Sequence, residues 1–430
     1  MLTNRRLLIA IGAVLFLAII IIVWYFFYAK PAIAPSLTGT NNPLPVDRPT
    51  PRFQFLTLWG TTESTSTSET EVTNPLENPL VEVWKKPATG QTFIVEQVLK
   101  EVTSTTTLGT TTVEEKRLVR ATTTRLLFVD KTTGYVYRYS LSKGTPYQIS
   151  NSVFPGIHDA YFFEEGKRVL MRYIDQEKNT VVTFIANLPK VQEGDSPLPL
   201  EKIQYISGDV SSVALTLKKD KISYIVTGTN GSSVYTITPK GPSLVTTSPF
   251  REWNLSYGGN TLYVTTKPSA YIEGATLSLP SFQVEIAEKT GLVSNPGPSG
   301  MLINSMWSSG GLATFLSLDG NIKVLSVATI ASKCSWGDAS FLICAVPRLA
   351  TGPEEGLPDD WYQGRTRFED DLYTINPKNG VSYPLYAFTE GEGIFDIENL
   401  SISPDNSLIS FNKRQGASLW VLNTELLHSD

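Results

Sequence analysis

One kind of segment recurs along this chain and constrains its fold more than any other feature. A short, apolar, β-rich run appears as RLLFVD (125–130), RVLMRY (168–173), KISYIV (221–226), TLYVT (261–265), LATFLS (312–317), FLICAV (341–346) and LISFN (408–412). Most of these runs are followed by a polar turn and a second run: GYVYRYSL, TVVTFIA, SSVYTIT, NIKVLSV, DLYTIN and SLWVLN. The turns DKTTG (130–134), TNG (229–231) and LDGN (318–321) carry the right chemistry. Asp and Asn bond back to their own backbone there, and Gly accepts positive φ. Outside the N-terminus no helical period of useful length is present. Repeats of about 40–50 residues with up to four strands each predict an all-β chain folded as a β-propeller. The seven strand pairs predict seven blades, with six or eight left open by the irregular spacing. The repeat at 301–330 is short and is expected to lack its outer strand.

A propeller must also close its ring. The last repeat, near 394–427, offers three strands, DIENLSIS, LISFN and SLWVLN, and no fourth. At the other end, PLVEVWKKPATGQTFIVE (79–96) reads as strand, proline-containing turn, strand, like TPYQISNSVFPGIHDAYF (145–162). Residues 81–84 are therefore expected to supply the missing outer strand, and 91–99 the inner strand of the first blade. Such a clasp removes an exposed sheet edge.

The N-terminus has a different character. Arg5 and Arg6 precede an uncharged apolar run from Leu7 to Tyr28. A bilayer is crossed by a helix of roughly 20 apolar residues, and flanking arginines stay cytoplasmic. The h-region of a cleaved signal is shorter, about 7–15 residues. The small-x-small site Ala32-Ile33-Ala34 is followed by Pro35, which disfavours cleavage. Residues 1–30 thus read as a cytoplasmic tip and one transmembrane helix. The expected location is the cell membrane, single-pass, with the C-terminal domain extracytoplasmic. Residues 31–78 read as a Pro/Thr-rich linker, dense in proline and then low in complexity at TTESTSTSET (61–70). Such composition buries too little apolar surface to order itself. Phe53, Phe55, Leu58 and Trp59 interrupt it, as an added edge strand or a membrane-proximal contact. Residues 79–430 form the propeller, with a long insertion at 347–371.

Charged residues are 18% of the chain, below the roughly 25% of typical soluble domains. The net charge of −5 argues against nucleic acid, which asks for a basic footprint. It also argues against a polybasic membrane-surface role. The two cysteines, Cys334 and Cys344, flank Gly337-Asp338 in CSWGDASFLIC. A hairpin centred near Ala339 sets them opposite each other, so a cross-strand disulfide is expected, with two buried thiols as the alternative. No metal site and no cofactor are expected, since the chain has two histidines, His158 and His428.

SISPDNSLISF (401–411) resembles the S-P-D-G/N-x-x-I-x-F signature of TolB-like and WD40-like propeller repeats. KCSWGDASFLICAVP (333–347), LPDDWYQGRTRFEDDLYTIN (357–376) and RLLFVDKTTGYVYRY (125–139) are similar to stretches of uncharacterised membrane-anchored propeller proteins of candidate-phylum bacteria. The resemblance covers roughly residues 79–425 and implies no activity. TolB-like propellers bind protein partners in the envelope, which the resemblance implies here too. The separate N-terminal α/β domain of TolB is missing from this chain.

The insertion at 347–371 holds Trp361, Tyr362, Arg365, Arg367 and Phe368, residue types that anchor interfaces. Long loops inside a compact domain are often functional. Joining the second and third strands of a blade, it should overhang the central face. It reads either as a partner-binding lid or as a plug whose aromatics fill a gap between blades. Its many carboxylates lack the spacing of a calcium loop. His158, beside Asp159, is placed on the same face at the start of an inner strand, a further candidate binding residue. A Thr-rich hairpin at 101–120 should project from the opposite face as a solvated ribbon or a strand-pairing edge. There is no G-x-S-x-G, P-loop or dinucleotide fingerprint, so no catalytic residue is assigned. The function expected is a membrane-tethered module that binds an envelope protein or a surface glycan. The alternative is an extracytoplasmic hydrolase with carboxylates in the central funnel.

Overall fold

Seven four-stranded antiparallel sheets follow one another along the chain and make a seven-bladed β-propeller. The computed structural model describes residues 78–428, apart from 109, 110, 142, 176, 178 and 309; for 99–116 it describes the backbone alone. Among the described residues no helix is long and apolar enough to cross a membrane. The run 7–28 and the linker up to 77 lie outside them.

Blade 1 holds strands Ala88–Leu108, Thr111–Asp130, Val136–Ser140 and Thr145–Gln148. Blades 2, 3 and 4 start at Ile157, Asp209 and Trp253, and blades 5, 6 and 7 at Val293, Cys334 and Ile397. In every blade but one, the recurrent run of the sequence is the second strand. That strand is covered on both faces by neighbouring blades, so it becomes a continuous apolar run. Val169, Leu170 and Met171 of Arg168–Asp175 are all fully buried. Blade 5 differs from expectation. LATFLS lies in its third strand, Gly311–Leu318, and NIKV is its outer strand, Asn321–Val324. The outer strand is therefore present. Both runs are strands, as expected, each one place further out in the blade, and the outer one is fully exposed.

Each seam between neighbouring blades has its own apolar cluster. Between blades 1 and 2, Leu127, Val129 and Val136 meet Phe162, Val169 and Phe184. Between blades 6 and 7, Ile343 and Leu372 meet Ile397, Ile409 and Phe411 around Phe388 and Phe395. Among the described residues the seam of blades 4 and 5 has the smallest apolar cluster, Ile286, Leu292 and Phe315 with Met306 against them.

The outer strand of blade 7 is the N-terminal Leu80–Trp84, antiparallel to Ser418–Asn423 with Leu80 opposite Leu422. Val83 packs with Phe93, Leu126, Leu408 and Leu419, joining the last blade to the first. Ala88 N–H donates to the Ala417 carbonyl (2.9 Å), and the Gln91 amide donates to the Asn399 carbonyl. The second-to-third-strand loops share one face with the connections between blades, here called the upper face. The chain enters Leu80–Trp84 from the opposite, lower face. The inner hairpin of blade 1 also projects there.

Candidate functional site

The insertion in blade 6 is shorter than its sequence suggests. The strands Phe341–Thr351 and Arg367–Ile375 extend into it, pairing Pro347 with Asp370 and Thr351 with Arg367 across one bulge. Only 352–366 remains as loop, with a one-turn helix at Asp359–Tyr362. Asp360 organises it. Its carboxylate accepts from Gly356 N–H (3.1 Å) and pairs with the Arg365 guanidinium, while its carbonyl accepts from the amides of Arg365 and Thr366.

Trp361 points inward and is 3% exposed. Its indole N–H donates to both oxygens of Asp396 (3.0 and 3.1 Å). The Arg414 guanidinium lies 4.2 Å from the ring centre and the Lys333 ammonium 4.7 Å. Arg414, from blade 7, also donates to the Trp361 carbonyl (2.8 Å). Phe368 is buried too, with Lys333 4.9 Å from its ring centre. The tryptophan and phenylalanine are therefore a plug, and the lid reading fails for these two side chains. A residue in an irregular loop packs its aromatics down where an apolar seam lies beneath it.

Lys333, fully buried, pairs with Asp370 (2.8 Å) and Asp396 (2.6 Å). Asp370 also accepts from Ile397 N–H, and Asp396 from Phe368 N–H (3.2 Å). Burial raises the Asp370 carboxyl to about 6; the Asp396 charge adds to this and Lys333 opposes it. Carboxylates of blade 6 and of the connection into blade 7 do converge here. They converge around a lysine in the interior, and all three side chains are buried.

The insertion also reaches the other way, across the top of short blade 5. Asp359 accepts from Ala270 N–H (3.1 Å), in the second-to-third-strand loop of blade 4. Gly291 N–H donates to Ser269 in the same loop. Leu357 joins the cluster of blades 5 and 6. The insertion thus acts as a strap from blade 4 to blade 7, over the seam of blades 4 and 5. On the lower side of that seam a cleft of about 320 Å³ opens, lined by Tyr263, Gln283, Glu285, Ser299 and Asp319 among others.

Beside the contact of Ala270 with Asp359, Tyr271 and Ile272 stand 76% and 70% exposed. Tyr362, at the end of the same one-turn helix as Asp359, is 42% exposed, its hydroxyl 3.1 Å from Ser332. Arg365 and Arg367 are exposed at the loop's end. Of the residues singled out in the sequence, Tyr362, Arg365 and Arg367 thus stay on the surface. Tyr271 and Ile272 were missed. Their only sequence signal is an aromatic–aliphatic pair in a turn between Pro268 and Gly274.

His158 stands apart, at the start of Ile157–Phe163 in blade 2 and exposed. Its Nδ1 lies 3.0 Å from Asp159, whose other oxygen is 2.8 Å from Arg172. Burial pushes the Asp159 carboxyl up, but His158 and Arg172 bring it below its ordinary value. Among the described residues no hydrogen bond or ion pair ties His158 to the insertion. The hairpin turn at Ala339–Ser340 sets Cys334 opposite Cys344, and the two are joined by a disulfide.

No family model matches the chain, and no curated protein resembles it in sequence. Solved structures share the fold at a distance. Hydrazine synthase of Kuenenia stuttgartiensis matches at 10% identity and TM-score 0.42, over 63% of this chain and 78% of its own. The Cps50 β-propeller domain of Myceliophteria thermophila matches at 11% and 0.43, over 70% and 92%. Oligogalacturonate lyase of Vibrio parahaemolyticus matches at 11% and 0.44, over 70% and 86%. Likeness of this degree adds nothing about activity.

Proposed function

We propose that this chain is a membrane-tethered, extracytoplasmic propeller that binds an envelope protein through the upper face of blades 4–6. The observation that carries the reading is the exposed pair Tyr271 and Ile272, in the loop that the strap fixes through Ala270 and Asp359. Exposed aromatic and aliphatic side chains on a rigid support are what a protein interface uses as anchors. A surface glycan is the weaker partner, because an aliphatic side chain such as Ile272 offers a sugar no hydrogen bond. The tether rests on the apolar run 7–28 and its two arginines. An extracytoplasmic location is supported by the disulfide, which persists in oxidising compartments. A carboxylate hydrolase asks for converging acids that face a substrate. The pair that converges, Asp370 and Asp396, is engaged by Lys333 instead.

The test is crosslinked capture from native membranes with the full chain, alongside Tyr271→Ala/Ile272→Ser. A specific protein lost with the variant, at unchanged melting temperature, supports the reading. Equal capture by both forms removes the binding face from these residues. A captured glycan lost with the variant would replace the protein reading.

A further inference from the structure

The first blade sends its inner hairpin well past its own sheet. The second strand, Thr111–Asp130, pairs with the third only between Arg125 and Val129. Its pairing with the first strand continues out to Leu108 opposite Thr111. Residues 111–124 therefore run along a two-stranded ribbon, about 45 Å long at roughly 3.4 Å per residue. Among the described residues no strand covers the outer edge of 111–124. Two strands alone are marginally stable in water, and a bare edge is a template for another strand.

The order of residues along that edge is Val113, Glu114, Glu115, Lys116, Arg117, Leu118, Val119. The ribbon's own register sets the four charged positions opposite Thr105, Ser104, Thr103 and Val102, none of them charged. Two acids followed by two bases bring opposite signs together when a second copy runs antiparallel. Opposed residues in an antiparallel pair share a face, so both must be odd-numbered or both even-numbered. A two-fold axis through Lys116 satisfies this. It sets Glu115 against Arg117 of the second copy and Val113 against Val119 of the second copy, each pair occurring twice. Lys116 then opposes its own symmetry mate, with Glu114 of the second copy at the diagonal position and Glu114 itself opposite Leu118 of the second copy.

We propose that the bare edge of this ribbon is a homodimer interface, where two copies pair antiparallel about Lys116 into one four-stranded sheet. The contact is isologous and closes on itself, as two-fold dimers do. A merely solvated edge would also carry charge, but it would need no particular order of signs.

The full chain, with its apolar run 7–28, is measured by sedimentation in density-matched detergent. A dimer is expected that weakens at high salt. Glu115→Arg and Arg117→Glu each replace two opposite-charge pairs by like-charge pairs, so each alone should weaken the dimer about tenfold or more. The double variant Glu115→Arg/Arg117→Glu should restore it, and mixing the two single variants should give a heterodimer. Both positions lie beyond the blade's own sheet, and an unchanged melting temperature confirms that folding is intact. A monomeric wild-type chain, a dimer indifferent to both reversals, or a double variant that stays monomeric overturns the proposal.

Discussion

Lys333 brings one positive charge to two buried carboxylates, Asp370 and Asp396, so the cluster holds an excess of negative charge. Removing the lysine leaves both acids without their counter-ion. Lys333→Met should therefore cost about 3–5 kcal/mol, read from chemical unfolding. The excess falls on Asp370, raised to about 6 chiefly by burial. The folded chain thus binds this proton more tightly than the unfolded one. The resulting stability is fully present below the ordinary value of 3.8 and is lost as pH rises through about 6. Asp370→Asn removes that dependence. Calorimetry from pH 4.5 to 7.5 should show the wild-type chain losing stability relative to Asp370→Asn as pH rises; parallel curves would contradict it. None of this was legible in the sequence, where Asp396 lies 63 residues from Lys333. For Trp361 the sequence left lid and plug both open, and only the seam beneath it decides for the plug.

At the scale of elements, the doubly covered second strands were legible because burial on both faces leaves a continuous apolar run. The four-residue strand Val293–Pro296 was not, being too short to carry a pattern, and NIKV was read as a strand but placed one position too early in its blade. The strap compensates for that short blade by joining blades 4 and 7 above it. Trp361→Ala should cost about 3–5 kcal/mol and raise hydrogen exchange across 352–366. Unchanged exchange there would mean the strap is held without its plug. Leu80–Trp84 covers the edge of Ser418–Asn423 and carries Val83 into the seam of blades 7 and 1. Val83→Asp puts an unpaired charge into that seam and should cost about 3 kcal/mol or more. A melting temperature like that of the wild-type chain would show that the ring closes without it.

For the whole molecule, the path of the chain assigns roles to the two faces. The chain enters the ring from the lower face, where the ribbon also projects, and the strap with exposed Tyr362 lies on the other, as does exposed Tyr271 of blade 4. The seven-blade ring follows from repeated strand chemistry. The proposed binding face is set by a strap whose contacts span four blades, which no local stretch of sequence encodes. The most direct test places a photoreactive amino acid at position 272 in living cells, with a control at exposed position 217 on the lower face. A single protein adduct from 272, and none from 217, is the predicted result. Adducts from 217 with none from 272 would contradict the assignment of the upper face as the binding surface.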